Sequence, residues 1–173
     1  MKSNIKIKKI NNEVSSILID EPKTYNSLSF QNLSDLLKAF KKLDADKKVK
    51  VIILQGAGKG FSAGHNLKEV RGLKKREKYL KLFNLCSKVM LQIIEGKKPV
   101  IAKVHGAAFA AGCQLVASCD LAYSTKDALF APLPIGWAIF VASTYSSLGT
   151  SSLSKAPTTS SEAPSPYTSA QSK

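Results

Sequence analysis

The chain is most constrained between residues 98 and 124. A short apolar run, Val100 to Val104, stops at His105-Gly106 and gives way to small residues, Ala107-Ala108-Phe109-Ala110-Ala111-Gly112. A short apolar helix is expected from about Cys113, and Asp120 then opens a second apolar run, Leu121 to Ser124. Small residues let the backbone approach a ligand closely. A helix start leaves several N–H groups without partners, and these favour an anion or a developing oxyanion. The stretch can therefore hold a polarised carbonyl. It carries no carboxylate or histidine in a clear catalytic arrangement.

The upstream sequence repeats the same alternation of elements. Ile5 to Ile10 alternates as a half-buried strand should, Asn11-Asn12 supply a turn, and Val14 to Ile19 complete a β-hairpin. Ser29 is placed to cap a helix in which Phe30, Leu33, Leu36, Leu37, Phe40 and Leu43 share one face. Val49 to Leu54 reads as a buried strand, and His65 to Val70 as the start of a helical segment. A longer helix is expected from after Gly72 to about Ile94, closed by Gly96 and Pro99. Strand, helix, strand, helix in this order predicts an α/β fold with right-handed crossovers and a parallel or mixed sheet. Ligands in such sheets collect beyond the carboxyl ends of the strands. Gly64-His65 and Ala111-Gly112 both follow such ends.

Between them lies Gly56-Ala57-Gly58-Lys59-Gly60-Phe61-Ser62-Ala63-Gly64. It fails as a dinucleotide fingerprint, because the third glycine comes one residue early. It fails as a P-loop, because Gly60 rather than Ser or Thr follows Lys59. What remains is an ordinary flexible loop, or a second close backbone approach at Ala63-Gly64-His65.

Composition narrows the classes. With 173 residues and 44% hydrophobic content, the chain can build one real core. Lys and Arg total 26 against 12 Asp and Glu, a formal charge of +14 that attracts polyanions. Aromatic residues do not interleave with the basic runs, so a nucleic-acid stacking platform is not expected. Cys86, Cys113 and Cys119 lack CxxC spacing and read as buried, reduced thiols. No metal site is expected, and no apolar run is long enough to span a membrane. The N-terminus has neither an apolar signal core nor an Arg-rich transit character, which as written reads as cytoplasmic. Ala131-Pro132-Leu133-Pro134 breaks regular structure, and residues 132–173, rich in Ser, Thr, Ala and Pro, read as a disordered tail.

These segments together carry a family resemblance. FSAGHNLKE (61–69) with KPVIAKVHGAAFAAGCQLVASCDLAYSTKDALF (98–130) resembles the crotonase superfamily, the enoyl-CoA hydratases and isomerases. PKTYNSLS (22–29) is similar to that family's early CoA-contacting loop. The resemblance implies a ClpP/crotonase-like spiral of ββα units over residues 1–131. It implies that two backbone N–H groups bind the thioester oxygen of an acyl-CoA, and their positions here are His65 and Ala111. It further implies a substrate-binding set of Lys23, Tyr25, Ala63, Gly64, Asn66, Leu67, Lys68 and Gly112. Coenzyme A would enter as part of the substrate, with no separate cofactor, and the location would be mitochondrial.

The same comparison exposes departures. The family's first catalytic Glu falls at Gln114 and its second at Pro134. Hydration needs one group to activate water and another to deliver a proton. A neutral amide and a proline do neither, so hydratase activity is expected to be weak or absent. The family's C-terminal region, which covers the acyl pocket and builds a homotrimer, is replaced here by the Ser/Thr/Pro tail, as in a truncated or frame-shifted product. Trimerisation is therefore expected of the full-length family rather than of this chain. Apolar surface near Leu121 to Phe130 would then lack cover. Two further readings stay open: another crotonase-type reaction, thioester hydrolysis or isomerisation, and a non-catalytic basic interaction fragment built on the lysines of 41–50 and 68–81.

Overall fold

The computed structural model describes residues 3–131 of the chain. Its first unit is the expected hairpin. Strands β1 (Ile5–Lys9) and β2 (Val14–Ile19) pair antiparallel, Ile5 opposite Ile19, across a turn in which Asn11 Oδ1 accepts the N–H groups of Glu13 and Val14. β1 is an exposed edge rather than a half-buried strand, with Ile7 40% exposed. Ser29 caps helix α1 (Phe30–Ala45), its hydroxyl accepting the N–H of Asn32, as its position before the apolar stripe predicted.

From there the chain winds as a spiral. Strand β3 (Val51–Gly56) lies parallel to β2 and is followed by the short strand β4 (Gly60–Ser62). Helices α2 (Leu67–Gly72) and α3 (Arg76–Ile94) carry the chain to β5 (Val100–Val104), parallel to β3. The short strand β6 (Ala107–Phe109) follows, then helix α4 (Ala111–Ala117). Strands β7 (Leu121–Ser124) and β8 (Leu129–Ala131) close the last described turn. Each turn adds one strand to a large sheet, ordered β1-β2-β3-β5-β7, and one to a small sheet, ordered β4-β6-β8. The small sheet is parallel throughout. This is the expected repeated ββα architecture.

Four further readings need correction. The glycine-rich stretch is not simply a loop, since Gly60–Ser62 is a strand. The small-residue turn contains strand β6, and α4 begins at Ala111 rather than near Cys113. The helical segment after Gly64 starts at Leu67, with Asn66 as its cap. Leu129–Ala131 is a strand where a break was expected to begin. The two missed strands after β3 and β5 are three residues each. They are too short to display a period of two and are held by pairing with each other. The tail expected from residue 132 lies outside the described residues.

The core lies between the large sheet and helices α1 and α3. Ile17, Ile19, Ile52, Leu54, Ala102 and Val104 from the sheet are buried with Leu33, Leu36, Phe40, Leu82, Val89 and Ile93 from the helices. Burial of β3 alternates, as a period of two requires. Cys86 is fully buried in this core, and burial pushes its thiol up to about 12, so it stays protonated and inert. Asp120 ties the sheet at its entry: its carboxylate accepts the Val100 N–H while its own N–H donates to the Val100 carbonyl. Phe40 is 1% exposed and sits where helix meets sheet. Phe40→Ala is expected to cost about 3–5 kcal/mol, measured by urea unfolding of the full chain. Phe30→Ala, at 46% exposure, should cost under about 1 kcal/mol.

Candidate functional site

The small sheet places the two suspected turns side by side. β4 and β6 are paired neighbours, so the residues leaving them, Ala63-Gly64-His65 and Ala110-Ala111-Gly112, emerge about one strand spacing apart. The contact is backbone against backbone. A Cβ built on Gly64 would lie 3.0 Å from the Ala111 nitrogen and 2.9 Å from the Phe109 carbonyl oxygen. One built on Gly112 would lie 2.3 Å from the Ser62 carbonyl oxygen. No side chain fits at either position. Gly64 also has φ +85, a region where a Cβ is strained whatever the space.

Carbonyl partners set the direction of each amide. The Leu28 N–H donates to the Gly64 carbonyl at 2.7 Å. Because the peptide is planar and trans, the His65 N–H points the opposite way, away from Leu28. The Gln114 N–H donates to the Ala110 carbonyl at 3.1 Å, so the Ala111 N–H points outward from the start of α4. Among the described residues neither amide has an acceptor. Ala110, between β6 and α4, holds φ 50 and ψ −121, the backbone of the first central residue of a type II′ turn, where glycine is the usual occupant. Its N–H donates to Ala131 of β8.

Around these turns the other expected residues divide into two groups. Tyr25 (53% exposed) and Leu67 (68% exposed) reach the surface, as do Lys23, Ala63 and Lys68. The Ala63 N–H donates to the Tyr25 carbonyl, which joins the early loop to the first turn. Gln114 is half-buried on the first turns of α4, close in sequence to Ala111 and Gly112. Asn66 is committed locally: its Oδ1 accepts the N–H groups of Lys68 and Glu69 and caps α2. The position matched to the second carboxylate, Pro134, lies outside the described residues.

His65 is anchored by its side chain. Its Nδ1 donates to the Leu28 carbonyl at 3.3 Å, and its ring meets Phe83 of α3 edge-on, with centroids 5.0 Å apart. Burial lowers its pKa from the usual 6.5, with the Leu28 hydrogen bond opposing more weakly. The ring is thus a neutral prop for its own backbone. His105, just past β5, donates through Nε2 to the Gly58 carbonyl at 2.8 Å, a structural contact.

Sequence reading missed the residues that hold the turns in place. Asn26 is fully buried with φ 54; its Nδ2 donates to the carbonyls of Ala57 and Gly60, and its Oδ1 accepts the Glu21 N–H. Ser62 is equally buried; its hydroxyl donates to the Asn26 carbonyl at 2.9 Å and accepts the Gly64 N–H at 3.2 Å. An Asn before a helix cap and a Ser ahead of a glycine are common in loops, so neither carried a distinguishing signal. A cleft of about 160 Å³ between α1, α2 and α3 is lined by Phe30, Glu69, Leu73, Lys78, Lys81 and Leu82. It contains none of the expected site residues, so this cleft and the paired turns are separate features.

Comparison with known proteins decides the family. Residues 9–137 match the family model described as enoyl-CoA hydratase/isomerase. The chain belongs to the enoyl-CoA hydratase/isomerase family. Human enoyl-CoA hydratase domain-containing protein 3, mitochondrial, is 42% identical over 132 residues, 73% of this chain and 42% of that protein. The crystal structure of enoyl-CoA hydratase from Mycobacterium smegmatis is 43% identical, with a TM-score of 0.74 over 80% of this chain and 53% of that one. The crystal structure of human enoyl-CoA hydratase domain-containing protein 3 is 35% identical, with a TM-score of 0.73 over 84% of this chain and 57% of that one. The chain spans about half the length of the curated relatives and of the solved structures it matches. The family membership and the crotonase-type fold agree with the motif reading.

Two outcomes follow from the site. The unfolded chain protonates His65 at the usual imidazole value, about 6.5, whereas the folded chain resists protonation to lower pH. Stability is therefore fully present above that value and falls as pH drops through and below it. His65→Phe should flatten this part of a stability-versus-pH curve measured by thermal unfolding. Ala110→Gly removes strain of about 1–3 kcal/mol against about 0.4–1 kcal/mol of added chain entropy. A net gain near 1 kcal/mol in urea unfolding is expected.

Proposed function

We propose that residues 1–131 form an acyl-CoA-binding domain in which the backbone N–H groups of His65 and Ala111 donate to the thioester carbonyl oxygen. The observation that carries this reading is the backbone contact between the two turns, with Gly64 against the Ala111 nitrogen and both amides without acceptors among the described residues. Main-chain donors tolerate side-chain change, so histidine at position 65 leaves that half of the machinery intact. Such donors stabilise the charge that develops on a thioester oxygen when it becomes an enolate, and losing one typically costs about 10²–10³ in rate. The exposure of Lys23 and Lys68 supports a role for both in meeting the phosphates of coenzyme A. Tyr25, Ala63, Asn66, Leu67 and Gly112 border the bound thioester. No cofactor is needed beyond the coenzyme A that the substrate carries.

Hydration is weak or absent in this reading. Gln114 can orient a water through its amide but cannot take its proton. The His65 ring is held at the Leu28 carbonyl through Nδ1 and against Phe83, and this reading gives it no part in proton transfer. The names of the relatives favour a mitochondrial setting for the chain.

Crotonyl-CoA offered to the full chain tests both halves together. Binding by calorimetry is expected, with the largest shifts at the amide resonances of residues 63–66 and 110–113, smaller ones at 23–25 and 67–68, and hydration below about 1 s⁻¹, the low end of ordinary turnover. Absence of binding would remove the acyl-CoA reading. Ordinary turnover would remove the claim of impaired hydration.

A further inference from the structure

The structure assigns Ser62 as the positioning residue that makes the paired turns selective for a thioester carbonyl, an inference that rests on the acyl-CoA reading above. Ser62 touches both turns and the loop that buttresses them. Its carbonyl oxygen lies directly beneath Gly112, where a Cβ would come within 2.3 Å. Its hydroxyl accepts the Gly64 N–H and donates to the Asn26 carbonyl. Asn26 in turn is fixed by two donated bonds, to Ala57 and Gly60, and by one accepted from Glu21. Ser62 and Asn26 are both 0% exposed, so water does not compete for these bonds.

The consequence is geometric. The peptide that presents the His65 N–H is held at its carbonyl by Leu28 and, one residue back, at the Gly64 N–H by the Ser62 hydroxyl. Gly64, with φ +85 and no side chain, is otherwise the freest hinge in the turn. Without the hydroxyl, the Gly64 N–H loses its acceptor and the following peptide can swing about that hinge. The Ala111 N–H has its own support, the Gln114 to Ala110 bond. Loss of Ser62 Oγ therefore misaligns one donor relative to the other, rather than unfolding the site. A single oxygen atom bound by two donors is sensitive to such misalignment; the adenosine and pantetheine parts of the ligand are not.

The test compares two ligands that differ by one oxygen: butyryl-CoA, a thioester that cannot be hydrated, and S-butyl-CoA, the matching thioether. Full-chain protein is titrated with each by calorimetry. The parent protein should prefer the thioester by about tenfold, as expected for hydrogen bonds to one carbonyl. Ser62→Ala should bring that ratio close to one while leaving the thioether affinity within about twofold. Ser62→Cys, whose thiol is a weak donor and acceptor, should fall between and decides the matter if the alanine variant does not fold. Ile17→Val, a mild core change away from the turns, should lower stability with the ratio intact. Equal loss of both affinities in the Ser62 variants, or an unchanged ratio, overturns the positioning role. No preference in the parent protein overturns the thioester-oxygen reading itself, and the role of Ser62 with it.

Discussion

The site depends on a contact that admits no side chains. The end of β4 and the start of α4 touch through Ser62 and Gly112, and the turn after β4 touches the Ala111 nitrogen through Gly64. Neighbouring turns of the spiral are held at strand spacing by the β4–β6 pairing. At that spacing whatever leaves the two strands is brought together, and only glycine permits the approach. The spiral thus creates a pair of outward amides as a by-product of its own repeat. It needs no catalytic side chain to do so.

Polar bookkeeping around that contact is complete among the described residues, where no buried side-chain nitrogen or oxygen lacks a partner. Asn26, Ser27, Asn32 and Ser62 are all buried, and each is bonded to backbone or side chain. An unsatisfied group in such a place would cost about 1–3 kcal/mol. The network converts the early loop, the glycine-rich stretch and the first turn into one rigid block. In the proposed reading that rigidity serves the donor pair, since the value of such a pair lies in pointing at the right place before a ligand arrives.

The spiral is uneven in how well its layers are covered. β2 and β3 carry their buried faces against α1 and α3. β7 and β8 instead leave Leu121 (58%), Tyr123 (72%), Leu129 (61%) and Phe130 (46%) exposed. Among the described residues, β7 lies at one edge of the large sheet and β8 at one edge of the small sheet. Edges with apolar side chains invite pairing or association.

The long elements were legible because their signals are local. Ser29 before an apolar stripe announced α1, the run from Val100 to Val104 announced β5, and the hairpin followed from alternation around Asn11-Asn12. Two motifs in the right order were specific enough to name the family. Sequence alone also determined that position 114 carries a neutral amide and not a carboxylate, because that is a matter of residue type. Tertiary structure decided the rest. β4 and β6 exist only through pairing between distant segments. Asn26 and Ser62 matter only because folding buries them against each other. The meeting of Gly64 with Ala111 is set by the spacing of successive spiral turns, a distance that no local pattern of residues encodes.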